Sequence, residues 1–293
     1  MSASASAAQP ARRTPRALTI AGSDSGGGAG IQADLKAFAR CGVHGMSAIT
    51  AITAQNTLGV IAVHAVPGEI ILAQVRAVAR DIGVDAVKVG MLGTVQAIEA
   101  VARALDELPA GTPVVVDPVM AAESGAQLLD PDAQGALVSE IVPRATVLTP
   151  NVPEAQALIR HGPAGPGAVE EDPDTDAGAE ALARAVLALG PTAVVLTGGH
   201  RAQAVDTFVE AHSPDRVVSI PGERHPDGAS HGSGCTHSSI LAAHLALGRT
   251  PLQAALAARS LAGEAVAHGL RDIGEGPGPV DVIGLDRIRR GRP

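Results

Sequence analysis

A glycine-rich segment before a helix is the clearest chemical feature of this sequence. Gly232 and Gly234 alternate in His231–Thr236, and Cys235 stands at the start of a long Ala-rich stretch with helical periodicity. Such glycines let successive backbone N–H groups converge, and a helix N-terminus adds the positive end of its dipole. The segment therefore predicts a site that stabilises an anion such as a transferring phosphoryl group, with a depressed pKa for the Cys235 thiol. The alternative is that Cys235 is a small buried filler.

A second glycine cluster follows the first predicted strand, at Gly22–Gly30. Glycines at a strand–helix turn let the backbone approach a ligand closely. The cluster contains neither GxGxxG between Gly22 and Gly28 nor GxxxxGK[ST], so it predicts ligand contact without specifying a nucleotide motif. A flexible turn is the alternative.

Polar side chains at other strand ends are further candidates. Gln55-Asn56-Thr57 combines donors and acceptors that suit the edge of a polar heterocycle, or simply begins a loop. Asp117 ends an apolar strand. Asn151 and Glu154 either cap a helix or lie beside phosphates, where Glu154 orders magnesium-bound water.

Composition excludes several functions. The net charge is -8, there is no Trp or Tyr, and only Phe38 and Phe208 are aromatic, which argues against a nucleic-acid binder. Lys36 and Lys88 are the only lysines, so a phosphate-binding lysine must be one of them. Cys41 and Cys235 match neither a disulfide framework nor a metal motif, which predicts a reducing cytoplasm. No apolar run is long enough for a transmembrane helix.

Short apolar runs alternate with helical segments, which predicts a mostly parallel sheet with helices on both faces, a three-layer α/β/α fold. The predicted strands are Ala17–Gly22, Met46–Thr53, Ala86–Met91, Pro113–Val119, Thr146–Thr149, Ala193–Thr197, Ala204–Glu210 and Arg216–Ile220. The predicted helices are Ile31–Arg40, Glu69–Asp81, Val95–Leu108, Ala133–Ile141, Pro153–Arg160, Ala177–Leu189, Cys235–Leu247 and Pro251–His268. Residues 1–15 are predicted to be a disordered tail, and 16–293 one domain. Ligands of such folds bind at the carboxyl ends of the strands.

These segments together resemble the hydroxymethylpyrimidine/phosphomethylpyrimidine kinase family of the ribokinase-like superfamily. The resemblance runs in order from Leu18 to His268. It rests on the two glycine segments and on five shorter motifs: Thr53–Thr57, Val89–Leu92, Asp117–Met120, Thr149–Ala155 and Thr197–His200. Each motif alone is weak, but the combination is specific.

The resemblance implies ATP- and magnesium-dependent phosphorylation of 4-amino-5-hydroxymethyl-2-methylpyrimidine and of its monophosphate, for thiamine synthesis. It assigns Gly232, Gly234 and Cys235 to the anion hole, with Cys235 where sugar kinases carry an Asp base. The expected substrate contacts are Gln55, Gly22, Met91, Val119 and Asp34. The nucleotide contacts are Asn151, Thr197, Gly199 and Ser233, and magnesium is expected at Glu154 and Asp117 through water.

One departure concerns Thr197, where the family commonly has a lysine that reaches the phosphates. An arginine, magnesium or the backbone must then supply that charge. Two alternatives follow, a pyridoxal/pyridoxine kinase and a catalytically silent metabolite-binding domain. A small-molecule substrate, ATP and a second copy in a homodimer are the expected partners.

Overall fold

An eight-stranded sheet forms the centre of the computed structural model, which describes residues 13–163, 171–199, 204–226, 228–289 and 291. Its strand order is β10-β9-β8-β7-β6-β5-β1-β2, and six neighbouring strands from β2 to β8 run parallel. Strand β9 is antiparallel to both β8 and β10. The predicted N-terminal tail lies outside the described residues as far as residue 12.

The strands are β1 (Arg16–Ala21), β2 (His44–Ile49), β3 (Ala51–Gln55), β4 (Val60–Ala65), β5 (Ala86–Val89), β6 (Val114–Val116), β7 (Val147–Leu148), β8 (Ala193–Leu196), β9 (Val205–Glu210) and β10 (Val218–Pro221). The helices are α1 (Gly30–Arg40), α2 (Gly68–Asp81), α3 (Val95–Asp106), α4 (Ala133–Ala136), α5 (Val152–Arg160), α6 (Asp176–Leu187), α7 (Ser233–Ala246), α8 (Pro251–Ala267) and α9 (Leu285–Arg289). A π-helical turn (Leu137–Ile141) and a 3-10 turn (Val142–Arg144) extend α4.

Both faces of the sheet are buried, which explains the continuous apolar runs of its strands. Leu18 and Ile20 of β1 point into a core with α2, α3, α5 and α6. Ala17, which precedes Leu18 and points to the opposite face, belongs to a second core with α1, α7 and α8. The predicted three-layer α/β/α fold is therefore confirmed. None of the helices in the described ranges is long and apolar enough to cross a membrane.

The predicted strand Met46–Thr53 is corrected by the structure, because the chain leaves the sheet at Thr50. The Thr50 hydroxyl donates to the Met91 carbonyl oxygen at 2.7 Å, and β3 turns away from the sheet. It pairs with β4, a strand the sequence analysis did not predict, in a separate two-stranded antiparallel sheet. Gln55 thus lies at the end of a hairpin strand rather than at the edge of the main sheet.

Candidate active site

The turn into α7 requires glycine at Gly232. This residue is the helix N-cap with φ 81°, and a Cβ there would lie 1.8 Å from the Gly28 carbonyl oxygen. Its side-chain-free backbone therefore packs directly against the Gly22–Gly30 segment. A Cβ on Gly234 would meet nothing within 4 Å, so this side of the turn is open to a ligand. The two glycine segments that the sequence singles out form one junction.

Asp24 organises the Gly22–Gly30 segment. Its carboxylate accepts hydrogen bonds from the N–H groups of Gly26 (2.8 Å), Gly28 (3.0 Å) and Ala29 (2.8 Å). Burial works against the charged form, but these bonds and His231 lower the pKa of Asp24. These hydrogen bonds make the segment an ordered loop, so the alternative of a flexible turn does not hold. Sequence reasoning treated Asp24 only as one member of the motif.

A buried charge cluster lies beneath the anion hole. Lys88 is fully buried, and its Nζ donates to Asp34 Oδ1 at 3.0 Å and lies 3.8 Å from Asp117 Oδ2. Burial alone would lower the pKa of Lys88, but Asp34, Cys235 and Asp117 together raise it. Lys88 is therefore an internal counter-ion that cannot reach a phosphate in this arrangement. The other lysine, Lys36, donates to the Gly27 carbonyl oxygen at 2.6 Å.

Two serines in the second turn of α7 connect this cluster to the anion hole. The Ser238 hydroxyl donates to Asp117 Oδ2 at 2.9 Å, and the Ser239 hydroxyl donates to Asp34 Oδ1 at 2.6 Å. The start of α7 is thereby fixed to β6 and α1. The sequence signal for this buried cluster was Lys88 itself, a lysine inside an otherwise apolar predicted strand, because a buried charge needs charged or polar partners.

The expected substrate contact of Asp34 is corrected by its burial. Its side chain is fully buried and accepts from Thr19, Lys88 and Ser239, so it cannot touch a ligand directly. Asp34 instead positions Lys88 and α7.

The expected depressed pKa of Cys235 is also wrong. Cys235 has intermediate exposure, and burial of the thiol raises its pKa to about 12. Lys88 and the Gly30 N–H lower the pKa, whereas Asp117 and Asp34 raise it further. Burial of the thiol, reinforced by the two carboxylates, thus outweighs Lys88 and the Gly30 N–H, and the thiol is neutral at pH 7.

Gly22 and Met91 lie against each other, because a Cβ on Gly22 would lie 3.0 Å from Met91 Sδ. Gln55 lies against the same glycine segment through Ser25, whose hydroxyl accepts from the Gln55 N–H at 2.8 Å. The Gln55 Oε1 accepts from Thr53 at 3.3 Å. Val119, two residues beyond Asp117, is partly exposed. Their contacts with a substrate remain predictions.

Asn151 and Glu154 form a capping box at the start of α5. Asn151 Oδ1 accepts the Glu154 N–H, and Glu154 Oε2 accepts the Asn151 N–H, both at 2.9 Å. Burial and the charge of Asp117 raise the pKa of Glu154 to about 8. Carboxylates that repel each other in this way suit a cation, and Mg²⁺ takes few protein ligands and keeps its waters. The residues fit magnesium held through water, although no group of three or more His, Cys, Asp or Glu side chains in the described ranges could hold a metal ion.

The Thr197–Gly199 segment lies beside this capping box. Thr197 forms a parallel bridge with Asn151, so these two predicted nucleotide residues are neighbours. Asp206 Oδ1 accepts the Gly198 N–H at 2.9 Å, and His237 Nε2 lies 3.3 Å from Asp206 Oδ2. A Cβ on Gly199 would meet nothing within 4 Å. His200, the last residue of this motif, lies outside the described residues.

Comparisons with known proteins agree with this arrangement. The profile of a family described as phosphomethylpyrimidine kinase matches residues 24–281. A hydroxymethylpyrimidine/phosphomethylpyrimidine kinase of Rhizobium meliloti is 45% identical over 270 residues, covering 91% of this chain and 96% of the relative. Among solved structures, pyridoxal kinase from Staphylococcus aureus in complex with ADP has a TM-score of 0.81 at 30% identity, covering 94% of this chain and 96% of that one. Phosphomethylpyrimidine kinase from Clostridium difficile has a TM-score of 0.71 at 38% identity, covering 86% and 99%.

Proposed function

The chain belongs to the phosphomethylpyrimidine kinase family, and from this premise we propose that it phosphorylates 4-amino-5-hydroxymethyl-2-methylpyrimidine and then its monophosphate, with ATP, in thiamine biosynthesis. The observation that carries the proposal is the junction of the two glycine segments at Gly232. It sets the start of α7 and Cys235 against the Gly22–Gly30 loop, which leads to Met91 and Gln55.

Phosphoryl transfer depends mainly on positioning and on stabilising charge on the equatorial oxygens. The N–H groups at the start of α7 supply that stabilisation without a lysine. With a pKa of about 12, Cys235 is a neutral thiol that orients the attacking hydroxyl. The hydroxyl proton passes to an oxygen of the transferred phosphoryl group late in a loose transition state.

Asn151, Thr197, Gly199 and Ser233 line the proposed nucleotide side. Glu154 and Asp117 would hold magnesium through water, and the ion would neutralise charge on the phosphates. Because residue 197 is a threonine rather than a lysine, magnesium and backbone N–H groups would neutralise the phosphate charge.

The proposal extends to the whole chain. Residues 16–293 are one kinase domain that acts as a homodimer. The exposed apolar hairpin β3–β4, which carries Gln55 next to its turn, supports a contact between two copies. Two free cysteines and the need for ATP fit the cytoplasm.

Pyridoxal is the second candidate substrate, because pyridoxal kinases from Staphylococcus aureus give higher TM-scores than the solved phosphomethylpyrimidine kinase. Sequence identity favours the pyrimidine, at 38% for that kinase against 30% for the pyridoxal kinase. The TM-score compares backbones, and kinases with either activity are expected to share the same backbone geometry. Sequence identity also includes the side chains that bind the substrate.

The decisive assay measures ADP release with Mg-ATP and, separately, the hydroxymethylpyrimidine, its monophosphate and pyridoxal. Both pyrimidines should be phosphorylated with a higher kcat/KM than pyridoxal. Cys235→Ala should lower kcat about 10²-fold, because the attacking hydroxyl is less well oriented, and leave pyrimidine binding, measured by calorimetry, nearly unchanged. The absence of turnover with both pyrimidines would overturn the proposed substrate, and an unchanged kcat would remove Cys235 from the reaction.

A further inference from the structure

Three loops meet at one histidine beside the anion hole. His231 directly precedes Gly232, and its ring lies between the Gly22–Gly30 segment and the turn at residues 121–127, here called the Glu123 turn. Its backbone is also fixed, because the His231 N–H donates to the Gly278 carbonyl oxygen and the Val280 N–H donates to the His231 carbonyl oxygen. None of the site roles assigned above uses this side chain.

The contact with the Gly22–Gly30 segment is close and polar. His231 Nε2 lies 2.9 Å from Asp24 Oδ2, the oxygen that also accepts the N–H groups of Gly28 and Ala29. A Cβ on Gly28 would lie 2.3 Å from the His231 ring, so the ring packs directly on this loop. Moving the ring would therefore disturb the hydrogen bonds that hold the loop.

The contact with the Glu123 turn is on the other ring nitrogen. His231 Nδ1 lies 3.7 Å from Glu123 Oε2, and the Ser230 hydroxyl donates to Glu123 Oε1. Glu123 is partly exposed, and its turn is closed by the hydrogen bond from the Ala122 N–H to the Ala126 carbonyl oxygen at 2.8 Å. Two adjacent residues of the anion-hole loop thus hold one carboxylate of the turn.

We propose that His231 is a positioning residue that couples the anion hole to the substrate-side glycine loop through Asp24 and to the Glu123 turn through Glu123. The expected effect of this coupling on catalysis rests on the proposed function. Its structural part concerns the protein without ligands.

The charge of His231 supports this role. The hydrogen bond to Asp24 and the nearby Glu123 carboxylate raise the pKa of His231 to about 9, although burial opposes the charged form. Asp24 faces the ring from the Gly22–Gly30 segment and Glu123 from its turn. Lys36 approaches that segment through the Gly27 carbonyl oxygen, while the segment at Pro279 contributes backbone contacts. His231 is thus an imidazolium between two carboxylates at pH 7, and the link weakens as the pH rises through about 9.

The test is amide hydrogen exchange of the full-length protein without ligands, for wild type, His231→Gln, Glu123→Gln and the double variant. Exchange at Ala122 and Gly125, whose N–H groups donate within the Glu123 turn, should be about 10-fold faster in each single variant after correction for intrinsic rates. It should be no faster in the double variant than in the single variants. The wild type should approach the same rate above pH 9. His212→Gln is the matched control, because His212 also pairs with a carboxylate, Glu210 at 3.5 Å, on the exposed end of β9.

Activity supplies the second readout. With the hydroxymethylpyrimidine, His231→Gln should lower kcat/KM about 10- to 100-fold and Glu123→Gln less, mainly through KM, while His212→Gln matches wild type. Unchanged exchange in both single variants, or additive effects in the double variant, would overturn the coupling. An inactive wild type would reject the proposed function and leave the exchange result as it stands, so the two failures are distinguishable.

Discussion

Lys88 determines the charge balance inside the site. Its ammonium lies 3.0 Å from the buried Asp34 carboxylate and 3.8 Å from the carboxylate of Asp117. Replacing Lys88 by Met should leave both carboxylates without a counter-charge. We expect a loss of about 3–5 kcal/mol in the free energy of unfolding, measured by urea denaturation.

Lys36→Met is the control for this loss, because Lys36 is half-buried and donates only to a backbone oxygen, which is worth about 1 kcal/mol. Adding Asp34→Asn to Lys88→Met should recover part of the stability, since one uncompensated charge is removed. Equal losses for the two lysine variants, or no recovery in the double variant, would contradict the counter-ion role.

Residue types alone could indicate candidates for ligand contact but not the groups packed behind them. Gly232, Gly234 and Cys235 stand out in the sequence because alternating glycines before a helix have few other uses. Asp34 carries no comparable signal, because its partners Lys88 and Ser239 are 54 and 205 residues away in the chain. The direction of the Cys235 pKa shift could not be predicted for the same reason, since it depends first on burial of the thiol and then on Lys88, Asp117 and Asp34, which are remote in the chain.

At the scale of elements, the start of α7 depends on a left-handed residue in close contact with another loop. Gly232→Ala should strain the backbone by about 1–2 kcal/mol and also force the Gly28 carbonyl oxygen away from its 1.8 Å approach to the new Cβ. The displaced anion hole should lower kcat/KM about 10²-fold, measured with the pyrimidine substrate.

Gly248→Ala separates the effect of backbone strain from the effect of a displaced anion hole. Gly248 has φ 79° and a Cβ there would meet nothing within 4 Å, so this variant should lose similar backbone energy and keep its activity. Equal activity of Gly232→Ala and wild type would contradict the close-packing account.

The parallel strands and their helices could be predicted because each strand is a short apolar run buried on both faces. The hairpin β3–β4 could not, since the apolar run Val60–Ala65 is mostly exposed and shows no alternation that marks a buried face. The break at Thr50 depends on a hydrogen bond to Met91, which is 41 residues away. Long-range contacts thus decide where a predicted strand divides.

At the scale of the whole molecule, the same hairpin supports the proposed homodimer. An isolated two-stranded sheet is marginally stable in water, so exposed apolar side chains on it call for a covering surface. Ile52, Ile61 and Val63 of this hairpin are exposed by 53%, 78% and 49%. A second copy of the chain would cover them and hold Gln55, at the end of β3, in place.

Ile61→Asp should therefore convert the dimer to a monomer, because a charge at the centre of an apolar contact opposes association. Light scattering after size-exclusion chromatography measures this over a series of protein concentrations. Ile288→Asp is the matched control, since Ile288 is exposed by 62% on α9, which is tied to α8 by the Arg287–Glu264 ion pair, and its variant should remain dimeric. The monomer should also have a raised KM for the pyrimidine, because the hairpin that ends at Gln55 loses its support. A monomeric wild type, or a dimeric Ile61→Asp variant, would rule out this surface as the contact.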